Sequence, residues 1–194
     1  MNKLNQYSEN LFKDARSHFS WKNKKISNDI LIELYNLLKL APTSANCSPA
    51  RFIFIKSSTA KEKLMPAISK GNIDQTMSAP ITVIIAYDLE FYEHLDFLFP
   101  DSGAKKWFTG SKQHILETAF RNSTLQGAYL IMAARYLGLD CGPMSGFDEE
   151  KINKEFFKNK NYKVNFLCNL GYGNKQVLKK RLPRFDFDKT CEVL

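Results

Sequence analysis

Four polar segments carry residue types that could do chemistry, and each sits where an element starts or stops. Arg16-Ser17-His18 puts a guanidinium beside a hydroxyl, a pair that can donate together to a phosphate. The same residues also read as a helix C-terminus with a favourable cation. Thr43, Ser44 and Asn46 lie in a loop between Pro42 and Pro49. Two hydroxyls and an amide so close together suit a polyol or the edge of a heterocycle, and they equally suit turn chemistry. Gly142-Pro143-Met144-Ser145-Gly146-Phe147 has glycines flanking Pro-Met-Ser. Such a run lets backbone N–H groups approach a flat ligand, or simply makes a tight turn. Lys179-Lys180-Arg181-Leu182-Pro183-Arg184 could complete a phosphate site or remain solvated surface.

Several other chemistries are excluded. No GxGxxG, Walker A or GxSxG pattern occurs. Cys47, Cys141, Cys168 and Cys191 lack CxxC spacing, and His18, His94 and His114 are far apart, so no metal site is expected. A reactive atom, if there is one, is expected from a cofactor. The net charge of +8 comes from 28 Lys and Arg against 20 Asp and Glu. Only Arg16, Arg51, Arg121, Arg135, Arg181 and Arg184 are arginines, and the lysines are scattered, which argues against nucleic acid as a partner. No apolar run reaches membrane-span length, and Met1 to Asn10 has no apolar signal core. The chain therefore reads as soluble and cytoplasmic, with dispersed thiols serving as small core residues.

The elements that must position these segments follow from periodicity. Leu4, Tyr7, Leu11, Ala15 and Phe19 predict a helix over 4–19. Ser27 caps a second helix, with Ile30, Leu31, Leu34, Leu37, Leu38 and Ala41 on one face and Pro42 as its stop. Strands are predicted at 51–56, 81–87 and 164–171. A helix is expected from Thr59 to about Ser69, and a long one over 111–137 ended by Gly138. Its small residues, including Ala119, Ser123, Gly127 and Ala134, suit a central core helix or a seam between subunits. Residues 139–147 read as a loop, and Asp148 caps a helix to about Lys158. The aromatics of 89–110, among them Trp107 and Phe108, fit either a flap over a pocket or the packed underside of a loop. With 194 residues, no repeats and no low-complexity linker, one domain spanning 1–194 is expected.

The runs APTSANCSPARFIFI (41–55), FYEHLDFLFP (91–100), ETAFRNSTLQGAYLIMAARYLGLDCGPMSGFD (117–148) and RLPR (181–184) resemble the nitroreductase family. The similarity spans essentially the whole chain. It is closest to a branch that reduces malonic semialdehyde in bacterial pyrimidine degradation, whose members are also labelled NADH dehydrogenase or NAD(P)H nitroreductase. The resemblance implies an α+β nitroreductase-like fold, a mainly antiparallel central sheet wrapped by helices, in a homodimer with FMN at the subunit interface. It implies NADH or NADPH as donor and a small aldehyde, quinone or nitro compound as acceptor. By position, Arg16, Ser17 and His18 match the phosphate- and ribityl-binding segment, and Lys179 and Arg181 match the C-terminal phosphate grip. Thr43, Ser44 and Asn46 match the loop that reaches the partner's flavin. Asn72 and Gln75 match the pyrimidine edge, and Pro143, Met144, Ser145 and Gly146 match the loop against the ring. Gln75 stands where a lysine is common, and Ala15 and Phe19 occupy positions that are often cationic. Trp107, Phe108 and Arg121 are candidates for the substrate pocket; no general acid is identified.

Overall fold

A computed structural model of the chain describes residues 8–100 and 103–194. The expected helix over 4–19 falls partly outside these residues. Its described part is a short turn, Glu9–Lys13, after which the chain runs extended. Arg16, Ser17 and His18 therefore follow a helix rather than ending one. Ser17 pairs in parallel with Cys141, and the His18 N–H donates to the Cys141 carbonyl at 2.9 Å.

Helix α1, Asn28–Leu38, begins at the extended Ser27, whose Oγ accepts the Ile30 N–H at 3.3 Å. It ends before Ala41 because Pro42 cannot continue it, and Ala41 closes a tight turn on Leu38. Strand β1, Ala50–Ile55, is followed by α2, Ser58–Leu64, and α3, Ile73–Ser78. Helix α2 ends at Leu64 rather than near Ser69, because Pro66 tightens the chain into a turn over Met65–Ala67, and a second turn, Lys70–Asn72, leads into α3. Strand β2, Ile81–Asp88, is buried along its whole length. The aromatic stretch folds into the short helices α4, Leu95–Leu98, and α5, Ala104–Phe108. Helix α6, Lys112–Tyr136, is capped by Ser111 and stopped at Gly138, which takes φ 77°.

Residues 140–144, expected as loop, are a strand. Strand β3, Asp140–Met144, lies at the sheet edge, where glycine and proline are tolerated. Helix α7, Glu149–Phe156, starts at the Asp148 cap and leads into β4, Tyr162–Gly171. The last short helix, α8, is Phe187–Thr190. The four strands form one antiparallel sheet in the order β1-β2-β4-β3.

Period-two alternation along β2 feeds both faces of the sheet. Ile81, Val83 and Ile85 join Leu34, Leu38, Leu130 and Ala134 under α1 and α6. Ile84 and Ala86 join Leu64, Ile152 and Leu167 under α2 and α7. Ala119, Ser123, Gly127 and Ala134 of α6 pack inward. A Cβ on Gly127 would lie 2.6 Å from the Phe166 ring, so this glycine lets the helix sit on its own sheet. Phe91, Leu95, Ala104 and Phe108 form a third cluster with Cys47, Tyr87 and Ala119, which is the packed-underside alternative.

Candidate functional site

The cationic end of the site is built by the two chain termini. The Arg16 guanidinium donates to the Lys179 carbonyl. Arg181 Nη2 donates to the carbonyls of Lys13 at 2.5 Å and Ala15 at 2.8 Å. These contacts border an open cavity of about 450 Å³ lined by Arg16, Ser17, Arg135, Lys179, Lys180, Arg181 and Arg184, with no acidic side chain among the described residues of its wall. Charges scattered in sequence thus converge in space. Arg135, in the last turn of α6, joins them; its Nη1 donates to the Leu11 carbonyl at 3.2 Å, and its buried Nε has no partner among the described residues.

His18 does not line this cavity. Its ring is 3% exposed, and its Nε2 lies 3.3 Å from Asp140 Oδ1. The second Asp140 oxygen accepts the Gly173 N–H at 2.8 Å. Burial pushes the Asp140 carboxyl up, but the bonds from His18 and Gly173, with the charge of Lys175, outweigh this and hold it below the usual range. The pair ties β3 to the segment that follows β4. A Cβ on Gly173 would overlap the imidazole, 1.9 Å from Nδ1, so only glycine fits there.

The other end of β3 gathers Asn72, Gln75 and the 143–146 run. The Gly146 carbonyl accepts from the Ser69 N–H at 3.0 Å and from Asn72 Nδ2 at 3.2 Å. Gln75 Nε2 donates to Asn72 Oδ1 at 2.6 Å. Met144 is buried, with the Thr76 hydroxyl 3.5 Å from its sulfur, while Pro143 and Ser145 are exposed. From Cys141, beside Ser17, to Gly146 is five residues, roughly 16 Å of extended chain. One edge strand therefore carries a cationic grip at one end and an amide-rich cradle at the other. That arrangement can hold a flat ligand with an anionic tail.

Thr43, Ser44 and Asn46 lie elsewhere. Thr43 Oγ1 accepts the Ser48 N–H at 3.1 Å, the Ser44 N–H donates to Asn122 Oδ1 at 2.8 Å, and Asn46 Nδ2 donates to the Leu98 carbonyl at 2.7 Å. Ala45, Asn46 and Ser48 all adopt positive φ, a costly backbone for non-glycine residues that these bonds hold in place. Burial pushes the adjacent Cys47 thiol up to about 11, so it is no nucleophile at neutral pH. Phe108 is buried and stacked on His114, whereas Trp107 is 53% exposed beside Phe99. Arg121 is exposed on α6 and has no ion-pair partner among the described residues.

Lys61 is a further residue that no sequence motif points to. It is 5% exposed and donates to the carbonyls of Thr76, at 2.6 Å, and Ala79. Burial pushes its ammonium down to about 8.

The sequence pattern of the Nitroreductase family matches residues 13–172. A protein of Polynucleobacter asymbioticus named "Putative NADH dehydrogenase/NAD(P)H nitroreductase" is 54% identical over 98% of both chains. Among solved structures, a "putative nitroreductase" of Exiguobacterium sibiricum 255-15, crystallised in complex with FMN, superposes with a TM-score of 0.85 at 20% identity, over 97% of each chain. CLA-ER, an enone reductase of gut-bacterial fatty acid saturation, gives 0.85 at 22% identity over 98% of each. Those two likenesses are likenesses of fold.

Proposed function

The chain belongs to the nitroreductase family, and on that premise we propose that it is an FMN-dependent NAD(P)H oxidoreductase that reduces malonic semialdehyde (3-oxopropanoate) to 3-hydroxypropanoate in pyrimidine degradation. The observation that carries this reading is the two-ended site along β3. The residues present fit FMN. Arg16, Ser17, Lys179 and Arg181 would hold its phosphate, and charged hydrogen bonds of this kind contribute roughly 1.5–3 kcal/mol each. The amides of Asn72 and Gln75 would meet the edge of its ring. The backbone of Pro143, Met144, Ser145 and Gly146 would lie against the ring face. A Cβ on Gly146 would sit 2.3 Å from Asn72 Nδ2, so the missing side chain is what leaves room for that amide. When bound, FMN supplies hydride chemistry, accepting from NADH or NADPH and donating to the second substrate.

The chain's own residues set what else can bind. Malonic semialdehyde is a small anion, and the exposed Arg121 guanidinium, without an ion-pair partner among the described residues, suits its carboxylate. Trp107 offers an exposed ring to shield the reacting atoms from water, with Phe108 anchoring the helix that carries it. Residues 43–46 are not among those that line the cationic cavity of their own chain, which accords with a homodimer in which the loop serves the partner's site. Leu125, Tyr129 and Tyr136 share one exposed face of α6, an apolar surface that a second copy would cover. All 194 residues are read as one FMN-binding domain, because the C-terminal segment closes the cavity begun by the N-terminal one. A cytoplasmic setting accords with four free thiols.

The name of the Polynucleobacter relative favours a second reading, a broad nitro or quinone reductase. The cavity lined with cations favours a third, a basic binding module without redox chemistry. One experiment separates them. The FMN-loaded chain is mixed anaerobically with NADH or NADPH, and kcat/KM is then compared for malonic semialdehyde, nitrofurazone and menadione. Bleaching of the yellow colour with the highest value for malonic semialdehyde is expected. A higher value for nitrofurazone or menadione selects the second reading. A colourless chain that takes up no flavin selects the third.

A further inference from the structure

We propose that Lys61 is a positioning residue for the ring end of the site: its buried ammonium fixes the C-terminal end of α3, and through that helix it holds Asn72 and Gln75. The inference rests on the reading that these two amides face a flavin ring. It begins with a gap in the backbone hydrogen bonding. In a continuing helix the Thr76 carbonyl would accept from the N–H four residues on, but that residue is Pro80, which has none. The helix stops instead, with Ala79 extended at φ −65° and ψ 140°, and its last carbonyls need other donors. Lys61, reaching across from α2, supplies them to Thr76 and Ala79. Trp21 Nε1 does the same for the Gln75 carbonyl at 2.9 Å.

A buried ammonium is costly unless it is well bonded. Lys61 has no carboxylate partner among the described residues, and burial alone depresses its pKa. Its partners are these two carbonyls, so its placement serves α3. The consequences reach the site directly. Asn72 immediately precedes the helix, Gln75 lies within it and bonds Asn72, and the Thr76 hydroxyl touches Met144 of β3. With its end pinned, α3 holds these groups against Gly146.

The test measures FMN and riboflavin binding to the full chain by flavin fluorescence, with folding checked by circular dichroism. Lys61→Met keeps the apolar stem and removes the donor. It is expected to weaken both flavins about tenfold, leaving their ratio unchanged, since the phosphate grip is untouched. Lys61→Gln, a shorter neutral donor, should recover part of the loss. Gln75→Ala should cost less in the Lys61→Met background than in the wild type, because the amide is already misplaced. Wild-type affinity in Lys61→Met, or losses that multiply in the double variant, would overturn the proposal. If Lys61→Met does not fold, Lys61→Gln decides by its coupling to Gln75→Ala on the same terms. A wild-type chain that binds neither flavin overturns the reading of the site itself, and this inference with it. Binding of both flavins with no effect of Lys61 overturns the inference alone.

Discussion

Arg181 and Ala15 are joined by a 2.8 Å hydrogen bond although they stand 166 residues apart. The same nitrogen bonds the Lys13 carbonyl, so the C-terminal segment is tied to the backbone just ahead of Arg16. Arg181→Ala should release the segment: hydrogen exchange across residues 175–185 should rise, with Tm little changed, because the bonds are exposed. Unaltered exchange would show that the tail is held by other contacts.

Gly127→Leu tests how α6 meets the sheet. Its new side chain would be driven into Phe166. Overpacking of this kind costs roughly 1–3 kcal/mol. The expected outcome is a lower Tm at every protein concentration. A loss confined to dilute samples would instead place this glycine at a subunit seam.

Tyr129→Asp addresses the opposite face of the same helix, which is exposed in the single chain. It should leave the fold intact by circular dichroism and shift the chain from dimer to monomer in sedimentation. A wild-type chain that sediments as a monomer would remove the role assigned to the 43–46 loop.

Much of this architecture is legible in the residues. Ser27, Ser111 and Asp148 announce their helices because each side chain accepts a backbone N–H that the helix cannot satisfy. The run 81–87 announces a strand because both of its faces are buried. Strand β3 is hidden because its glycine and proline carry loop signals, while its pairing with β4 is set by residues far away in sequence. The basic site residues Arg16, Lys179 and Arg181 were visible as types in a pattern, and the structure brings them together. Arg135 stands in the sequence only as one of six arginines, since its place in the cavity depends on the fold of both termini. Lys61 was not visible at all, because nothing local distinguishes a lysine that turns inward to meet carbonyls fifteen residues on. His18, which the resemblance groups with Arg16 and Ser17, faces Asp140, a contact set by the pairing of residues 17–18 with Cys141 far away in sequence.

Asp140→Asn should alter the acid limb of stability. The carboxyl is held below its ordinary 3.8, so it contributes stability that is full above that value and is lost as pH falls through its lower folded value. The variant should be less stable at neutral pH by roughly 1 kcal/mol, discounted for partial exposure. It should also lose less stability than the wild type below about pH 4. Parallel acid-unfolding curves for the two proteins would refute the assignment.

The central claim is that one chain grips a phosphorylated flavin by its tail at the Arg16–Arg181 cavity. Titrating FMN and riboflavin separately into the wild type and Arg181→Ala tests it most directly. The wild type should prefer FMN by at least about tenfold, the equivalent of one charged hydrogen bond. Arg181→Ala should lose most of that preference while binding riboflavin as before. Equal binding of the two flavins by the wild type, or an undiminished preference in the variant, would contradict the account.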